Sequence, residues 1–184
     1  MTSAVLLASA ACSSPSFSPG VDGSKVLSEL SGEDKKQLCT ALQETTEDFV
    51  NSNKDGVCKL GAILVALLSG DDPQAVCEMA VTTCSNNDVD GSDERAACES
   101  SMAITGCSAT VDEMEACYNE KIEALGELYD ELAAQSCAEL LMDSGMDSQG
   151  TKQPEEPAAC VALEAKCPGV AGLAFGTTGT STKT

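Results

Sequence analysis

Residues 110–132 read TVDEMEACYNEKIEALGELYDEL, and this stretch decides the fold. Val111, Met114, Tyr118, Ile122, Leu125, Tyr129 and Leu132 recur at gaps of three and four. That spacing lines one face of a helix with 3.6 residues per turn. Thr110 and Glu113 form a capping box, in which hydroxyl and carboxylate each accept a hydrogen bond from the other's backbone N–H. The stretch therefore predicts the longest helix of the chain. Its stripe has room for only about three heptads, so it reads as domain core before it reads as a coiled-coil seam.

The segments on either side are helical too. Ser31 with Asp34 is a second capping box, opening a helix that carries Leu38, Leu42, Thr45 or Thr46, and Phe49. NSNKDG (51–56) ends it with turn chemistry. CKLGAILVALL (58–68) is apolar on most sides, which predicts the central, most buried helix. Asp71-Asp72-Pro73 then breaks and restarts the chain, with Pro73 at the first position of a helix running to about Cys84. Further helices are expected at Ser92–Ile104, Ser136–Met142 and Ala158–Lys166, with a polar loop over 143–157. Runs of alternating β-branched residues are scarce, so strands are not expected. The fold class is all-α: a compact, disulfide-stapled bundle of about five to seven helices over residues 31–168, with a flexible N-terminal tether and a C-terminal tail. The tail, 169–184, is rich in Gly and Thr and is expected to be disordered.

That core is poor in bulk. The 184 residues include three Phe, two Tyr and no Trp, although a buried aromatic side chain is worth about 150–250 Å² of covered surface. Covalent staples have to make up the difference, and 11 Cys are available. The net charge of −20 and the absence of any long basic stretch argue against nucleic acid and anionic lipid surfaces, which are bound through Lys and Arg.

The N-terminus gives one cysteine a separate role. MTSAVLLASAAC (1–12) places Val5-Leu6-Leu7 before small residues and then Cys12. This order resembles the lipobox of bacterial lipoproteins, whose cysteine is acylated and becomes the first residue of the mature chain. Residues 1–11 are then a lipoprotein-type signal peptide and Cys12 the lipidation site. Residues 12–30, including SSPSFSPGVDGS (13–24), become a flexible tether. The leader lacks a basic n-region, which a start codon placed too far downstream would explain, and Ser9 stands where a lipobox usually has Leu. The alternative is an ordinary cysteine behind an unprocessed N-terminus. No stretch has the roughly 20 apolar residues that a spanning helix needs.

The other ten cysteines, Cys39, Cys58, Cys77, Cys84, Cys98, Cys107, Cys117, Cys137, Cys160 and Cys167, can pair outside a reducing compartment. Cys77/Cys84 and Cys160/Cys167 are each seven positions apart, about 10.5 Å along a helix. A disulfide requires Cα atoms about 4.4–6.8 Å apart. Each of these four cysteines should therefore reach to a neighbouring helix or loop, and five such bonds are expected with the pairing left open. Zinc is disfavoured, because the chain has no short C-x2-4-C knuckle and no His. The absence of C-x-x-C likewise disfavours a redox site.

Asn86, Asp88 and Asp90 fall at positions 1, 3 and 5 of a partial calcium loop with Gly91 at 6, but Ala97 stands where a bidentate Glu belongs. Asn51, Asn53, Asp55 and Gly56 repeat the partial pattern, with Ala62 at position 12. The competing reading of the first run is an acidic turn whose Ser92 or Asp93 caps the next helix. Calcium is the one cofactor to consider; none is otherwise expected. Catalysis would have to rest on a pair among the 30 acidic residues, since no His is present to act as a base near neutrality.

CSATVDEMEAC (107–117) is preceded by ERAACESSMAITG (94–106) and followed by Cys137, PAAC (157–160) and EAKCP (164–168). Together with KKQLCTAL (35–42), it resembles a family of cysteine-rich exported proteins and lipoproteins of the type abundant in myxobacterial envelopes. Members share a C-x-ATV-x3-EAC core and a late C-x-x-L-x-x-x-C pair. The resemblance covers about Leu30–Pro168 and implies export and disulfide bonding; it supplies no catalytic or binding residues.

The expected function is that of an exported lipoprotein, not an enzyme, with a structural or protein-interaction role in the cell envelope. It would be held to the membrane through Cys12, facing the periplasm or the exterior beside an unknown envelope protein partner. Ser13 in place of Asp after Cys12 points to the outer membrane by analogy. The alternatives are a freely secreted acidic binding protein that takes calcium, and a carboxylate-based hydrolase.

Overall fold

A computed structural model describes residues 15–70, 72–87, 106–143 and 155–168. Helix takes 75% of the described residues, in six α-helices with no strands. They are α1 (Gly32–Ser52), α2 (Lys54–Ser69), α3 (Pro73–Ser85), α4 (Val111–Ala134), α5 (Cys137–Asp143) and α6 (Ala158–Lys166), preceded by a 3-10 turn at Leu27–Glu29. The expected helix at 92–104 and the C-terminal tail lie outside the described residues.

The helices start where their side chains can satisfy backbone donors. Both predicted capping boxes are formed, Ser31/Asp34 and Thr110/Glu113. Ser136 and Glu139 make the same reciprocal pair at the start of α5, with Ser136 N–H to Glu139 at 2.8 Å and Glu139 N–H to Ser136 at 3.3 Å. Asp72 accepts from the Ala75 N–H at 3.3 Å, and Pro73 occupies the first helical position. Gly70, at φ 64°, closes α2 in the left-handed conformation that favours glycine.

The α4 stripe buries Val111, Met114, Tyr118, Ile122 and Leu132 and half-buries Leu125 and Tyr129, as its periodicity requires. It serves two cores in succession. Its N-terminal half packs with Leu38, Leu42 and Phe49 of α1 and with Leu163 of α6. Its C-terminal end, through Leu132, joins Ala62, Ile63 and Ala66 of α2, Cys77 of α3, and Cys137 and Leu140 of α5. Tyr129 touches both clusters and stacks obliquely on Phe49 with ring centroids 5.8 Å apart.

Three expectations are corrected. NSNKDG is not a turn of six residues, because Asn53 alone separates α1 from α2. Its backbone and side-chain N–H groups both donate to the Phe49 carbonyl, at 3.0 and 2.8 Å, so one residue does the work of a loop. Second, α2 is not the most buried helix. Ala62, Ile63 and Ala66 face inward, but Leu64 and Leu68 are 58% and 87% exposed.

The third correction concerns the tether. From Pro15 onward the chain is packed on the domain, with Phe17, Leu27 and Leu30 at 1%, 0% and 5% exposure. The Ser/Pro/Gly composition suggests a segment with nothing to bury, yet Phe17, Leu27 and Leu30 are all buried in the domain. Residues 12–14 lie outside the described residues.

Gly56 explains how α2 comes so near α4. A Cβ at this position would run into the Tyr129 carbonyl oxygen and lie 2.7 Å from the Tyr129 Cβ. Helix propensity alone would make Gly56→Ala stabilising by about 1 kcal/mol. The collision is with backbone that cannot rotate away, so we expect a net destabilisation of about 1–3 kcal/mol, read as a fall in melting temperature. A rise would show that the α2–α4 approach is slack.

Candidate functional site

The packed segment 15–30, here called the strap, is the described part of the chain nearest in sequence to Cys12. Its N-terminal end is clamped at Phe17. The Phe17 N–H donates to Asn119 Oδ1 at 2.8 Å, and Asn119 Nδ2 returns a hydrogen bond to the Phe17 carbonyl at 3.1 Å. The ring lies against Tyr118 at 5.2 Å between centroids. The remaining neighbours, Leu42, Phe49 and Ile122 among them, leave no space for even a water molecule.

Further along, the strap caps α4. The first N–H groups of a helix lack intrahelical partners. Here the Val111 N–H donates to the Lys25 carbonyl at 3.0 Å, and the Asp112 N–H donates to the Gly23 carbonyl at 2.9 Å. The Leu27 N–H completes the seam by donating to the Ala109 carbonyl at 2.8 Å. The strap thus supplies acceptors that α4 needs, and the cap explains why a loop of such composition is ordered.

A polar trough of about 430 Å³ opens between the strap and α1, lined by Ser18, Gly20, Glu33, Lys36, Thr40 and Glu44 among others. Lys25 crosses to Asp34 at 2.8 Å. The Lys25 ammonium, followed by the Ser31 hydroxyl, holds the Asp34 carboxyl at about 2. Asp22 is lowered by the Ser24 hydroxyl and N–H, Glu113 chiefly by Lys166, and Glu139 by the Ser136 N–H and hydroxyl. Among the described residues these clear carboxylate shifts are all downward, and each has a turn, a cap or an ion pair as its cause. Tyr129 is raised, by burial.

The Asp34 shift sets a pH dependence. A carboxyl lowered on folding contributes stability above its unfolded value, 3.8, and loses it as pH falls through the folded value. The difference in melting temperature between wild type and Asp34→Asn should be full above about pH 5 and vanish towards pH 2. A difference independent of pH would mean that the capping geometry matters and the charge does not.

Four disulfides are present among the described residues. Cys58–Cys84 joins α2 to α3, and Cys77–Cys137 joins α3 to α5, with Cα atoms 5.6 and 6.0 Å apart. Cys117–Cys160 joins α4 to α6, and Cys107–Cys167 ties the entry to α4 to the end of α6, both at 4.5 Å. Neither seven-residue pair closes on itself. Cys39 is also disulfide-bonded. Cys12 and Cys98 lie outside the described residues, and within the chain they are the two cysteines left to partner Cys39.

The calcium candidates are only partly in view. Asn86 is the C-cap residue of α3, and its side-chain N–H donates to the Thr82 carbonyl at 2.8 Å; Asp88 and Asp90 lie outside the described residues. The second partial loop is overturned, because Asn51 and the Asp55–Gly56 pair are helical. No cluster of three or more acidic, Cys or His side chains able to hold a metal occurs among the described residues. None of the described helices is long and apolar enough to cross a membrane.

Sequence reasoning missed Phe17 and Asn119. Their only signal was that Phe17 is one of three Phe in the chain, an expensive side chain to leave in water. Comparison of the chain with protein-family models, with curated proteins and with solved structures finds no match.

Proposed function

We propose that this chain is an envelope lipoprotein whose acylated Cys12 holds an acidic, disulfide-stapled helical body close to a membrane, in a structural or protein-interaction role. The observation that carries this reading is the docking of the strap. Phe17 is five residues from Cys12, a span of at most about 18 Å of extended chain. The chain commits to the folded body almost as soon as it leaves the lipobox-like sequence, so a lipid there would act as a short mount. The disulfides add support, since such bonds persist in oxidising compartments. So does the resemblance to cysteine-rich exported proteins. Multiple acyl chains on one cysteine would suffice for stable anchoring.

Cysteine bookkeeping sharpens the test. A sulfur that carries lipid cannot also form a disulfide, so lipidation of Cys12 requires Cys39 to pair with Cys98. Intact mass of protein from its own membranes should correspond to a chain beginning at Cys12 plus acyl groups. A non-reducing peptide map should recover Cys39 with Cys98. Cys12→Ser should move the protein from the detergent to the aqueous phase and leave its melting temperature unchanged. Recovery of Cys12 linked to Cys39 would end the lipoprotein reading and favour a freely secreted acidic binding protein.

A further inference from the structure

From Leu60 to Leu68 the outer face of α2 is apolar. Leu60, Leu64, Leu67 and Leu68 are all exposed, the last two at 53% and 87%. Their spacing of four, three and one keeps them on adjoining turns of one side. Met79 of α3 and Met142 of α5 are exposed as well, at 65% and 75%; Met is the side chain best able to adapt to a partner surface. A helix that is hydrophobic all round is ordinarily buried, and a contiguous exposed apolar patch marks an interaction site. The stabilising reason for the inner face, its packing on α3, α4 and α5, does not account for the outer one.

The chain's own remaining segments are poor candidates to cover it: residues 88–105, which follow α3 in sequence, would bring Asp88, Asp90, Asp93, Glu94 and Glu99 against Arg95 alone to a face already bordered by acidic residues. The Lys59 ammonium reaches the Ala133 and Gln135 carbonyls at 2.5 Å, which places this part of α2 at the C-terminal end of α4. Residues 169–184 follow Pro168 in sequence, next to the N-terminal end of α4, where Cys167 bonds Cys107 and Lys166 pairs with Glu113. Twenty residues of α4, roughly 30 Å, separate the two ends. Phe175, the last large apolar residue of that tail, is seven residues from Pro168, or at most about 25 Å of chain. Residues 144–154, SGMDSQGTKQP, offer one large apolar side chain. Val5-Leu6-Leu7 belongs to the leader that processing at Cys12 removes.

Charge selects among outside partners. From Leu60 to Asn87 the sequence holds Asp71, Asp72 and Glu78 and no Lys or Arg, and CAELLMD of α5 adds only Glu139 and Asp143. The two basic groups of α2, Lys54 and Lys59, both precede Leu60, and Lys59 is occupied by carbonyls. A second copy would bring another −20 to the same face, and an anionic lipid surface would be repelled. We infer that the leucine face of α2 docks a cationic amphipathic helix of another protein, whose apolar side covers Leu64 and Leu68 and whose Lys and Arg meet the surrounding carboxylates. This deepens the interaction role proposed above and rests on removal of residues 1–11, with or without a lipid on Cys12.

The test is titration of a synthetic amphipathic Leu/Lys helix, and of its scrambled sequence, into the oxidised full-length chain at 0.15 M salt. The amphipathic peptide should bind more tightly than the scramble. L64E/L68E should weaken it about tenfold or more, although that variant adds two negative charges. This sign separates docking from general attraction, because charge alone would make the variant bind as well or better. Both side chains are exposed, so helical content should be retained; if the double variant melts early, L68E alone is read against L68K. Binding unchanged or tightened by L64E/L68E would overturn the inference. So would a dimer in sedimentation that the variant dissolves, or adsorption to zwitterionic vesicles that it abolishes. Failure here leaves the mass and partitioning results at Cys12 standing, and failure there leaves this result standing.

Discussion

Full reduction is expected to abolish the cooperative thermal transition and most of the far-UV helical signal at 25 °C. The chain-entropy model gives roughly 3.5–4.3 kcal/mol for each cross-link closing 26 to 60 residues, the range spanned by Cys58–Cys84, Cys117–Cys160, Cys77–Cys137 and Cys107–Cys167. The loops overlap, so the bonds are not additive. At half weight the four still amount to about 8 kcal/mol, comparable to the entire stability of an ordinary domain, about 5–15 kcal/mol. The apolar cores have little to set against this loss. Their bulk is Leu, Val and Met around Phe17, Phe49, Tyr118 and Tyr129, and much of the apolar surface of α2 points outward. The measurement is circular dichroism on heating, with and without excess thiol, at constant salt. A reduced chain that keeps its helical signal and melts cooperatively would show that helix packing alone carries the fold, and would remove the argument from disulfides to an oxidising compartment.

The helices were legible because each had a local cause in the sequence. Two capping boxes, Pro73 and the three-and-four spacing of α4 set boundaries within a few residues, and these signals do not depend on what packs where. The seven-residue cysteine pairs were informative for a similar reason: the rise of a helix forbids their closure, and the structure sends Cys77 to Cys137 and Cys84 to Cys58. Connectivity itself was out of reach, since it depends on which helices are neighbours. The misreadings concern tertiary context. Asn51–Gly56 carries turn residues, but Asn53 could cap α1 from its own side chain and let Gly56 slide beneath Tyr129. The apolarity of α2 was read as burial, because periodicity reports how many faces are apolar and not how many are covered. The strap was read as a tether because composition averages over residues, and its docking rests on Phe17 and on two carbonyls, Gly23 and Lys25, that composition does not register.

Phe17→Ala should therefore produce the largest effect of any single substitution outside the cysteines. Truncating a fully buried aromatic side chain costs about 3–5 kcal/mol, which for a domain of this size lowers the melting temperature on the order of 10–20 °C. The loss has a definite structural consequence. With the ring gone, the Asn119 hydrogen bonds must hold the end of the strap unaided, at about 1 kcal/mol each. The strap's carbonyls would then leave the Val111 and Asp112 N–H groups more often, so those two amides should lose protection in hydrogen exchange. Proteases should cut between Ser18 and Ser24 faster than in the wild-type chain, whose strap is packed on the domain. Asn119→Ala provides the graded comparison: it removes the hydrogen bonds, keeps the ring, and should destabilise less. If Cys12 carries lipid, Phe17→Ala lengthens the link between Cys12 and the body from five residues to about fifteen, which should raise the body from the membrane without releasing it. A Phe17→Ala chain that melts like wild type and is cut no faster would mean that the strap rests on the domain without being coupled to it. Residues 12–30 would then act as the flexible tether their composition describes, and the short mount would lose its physical basis.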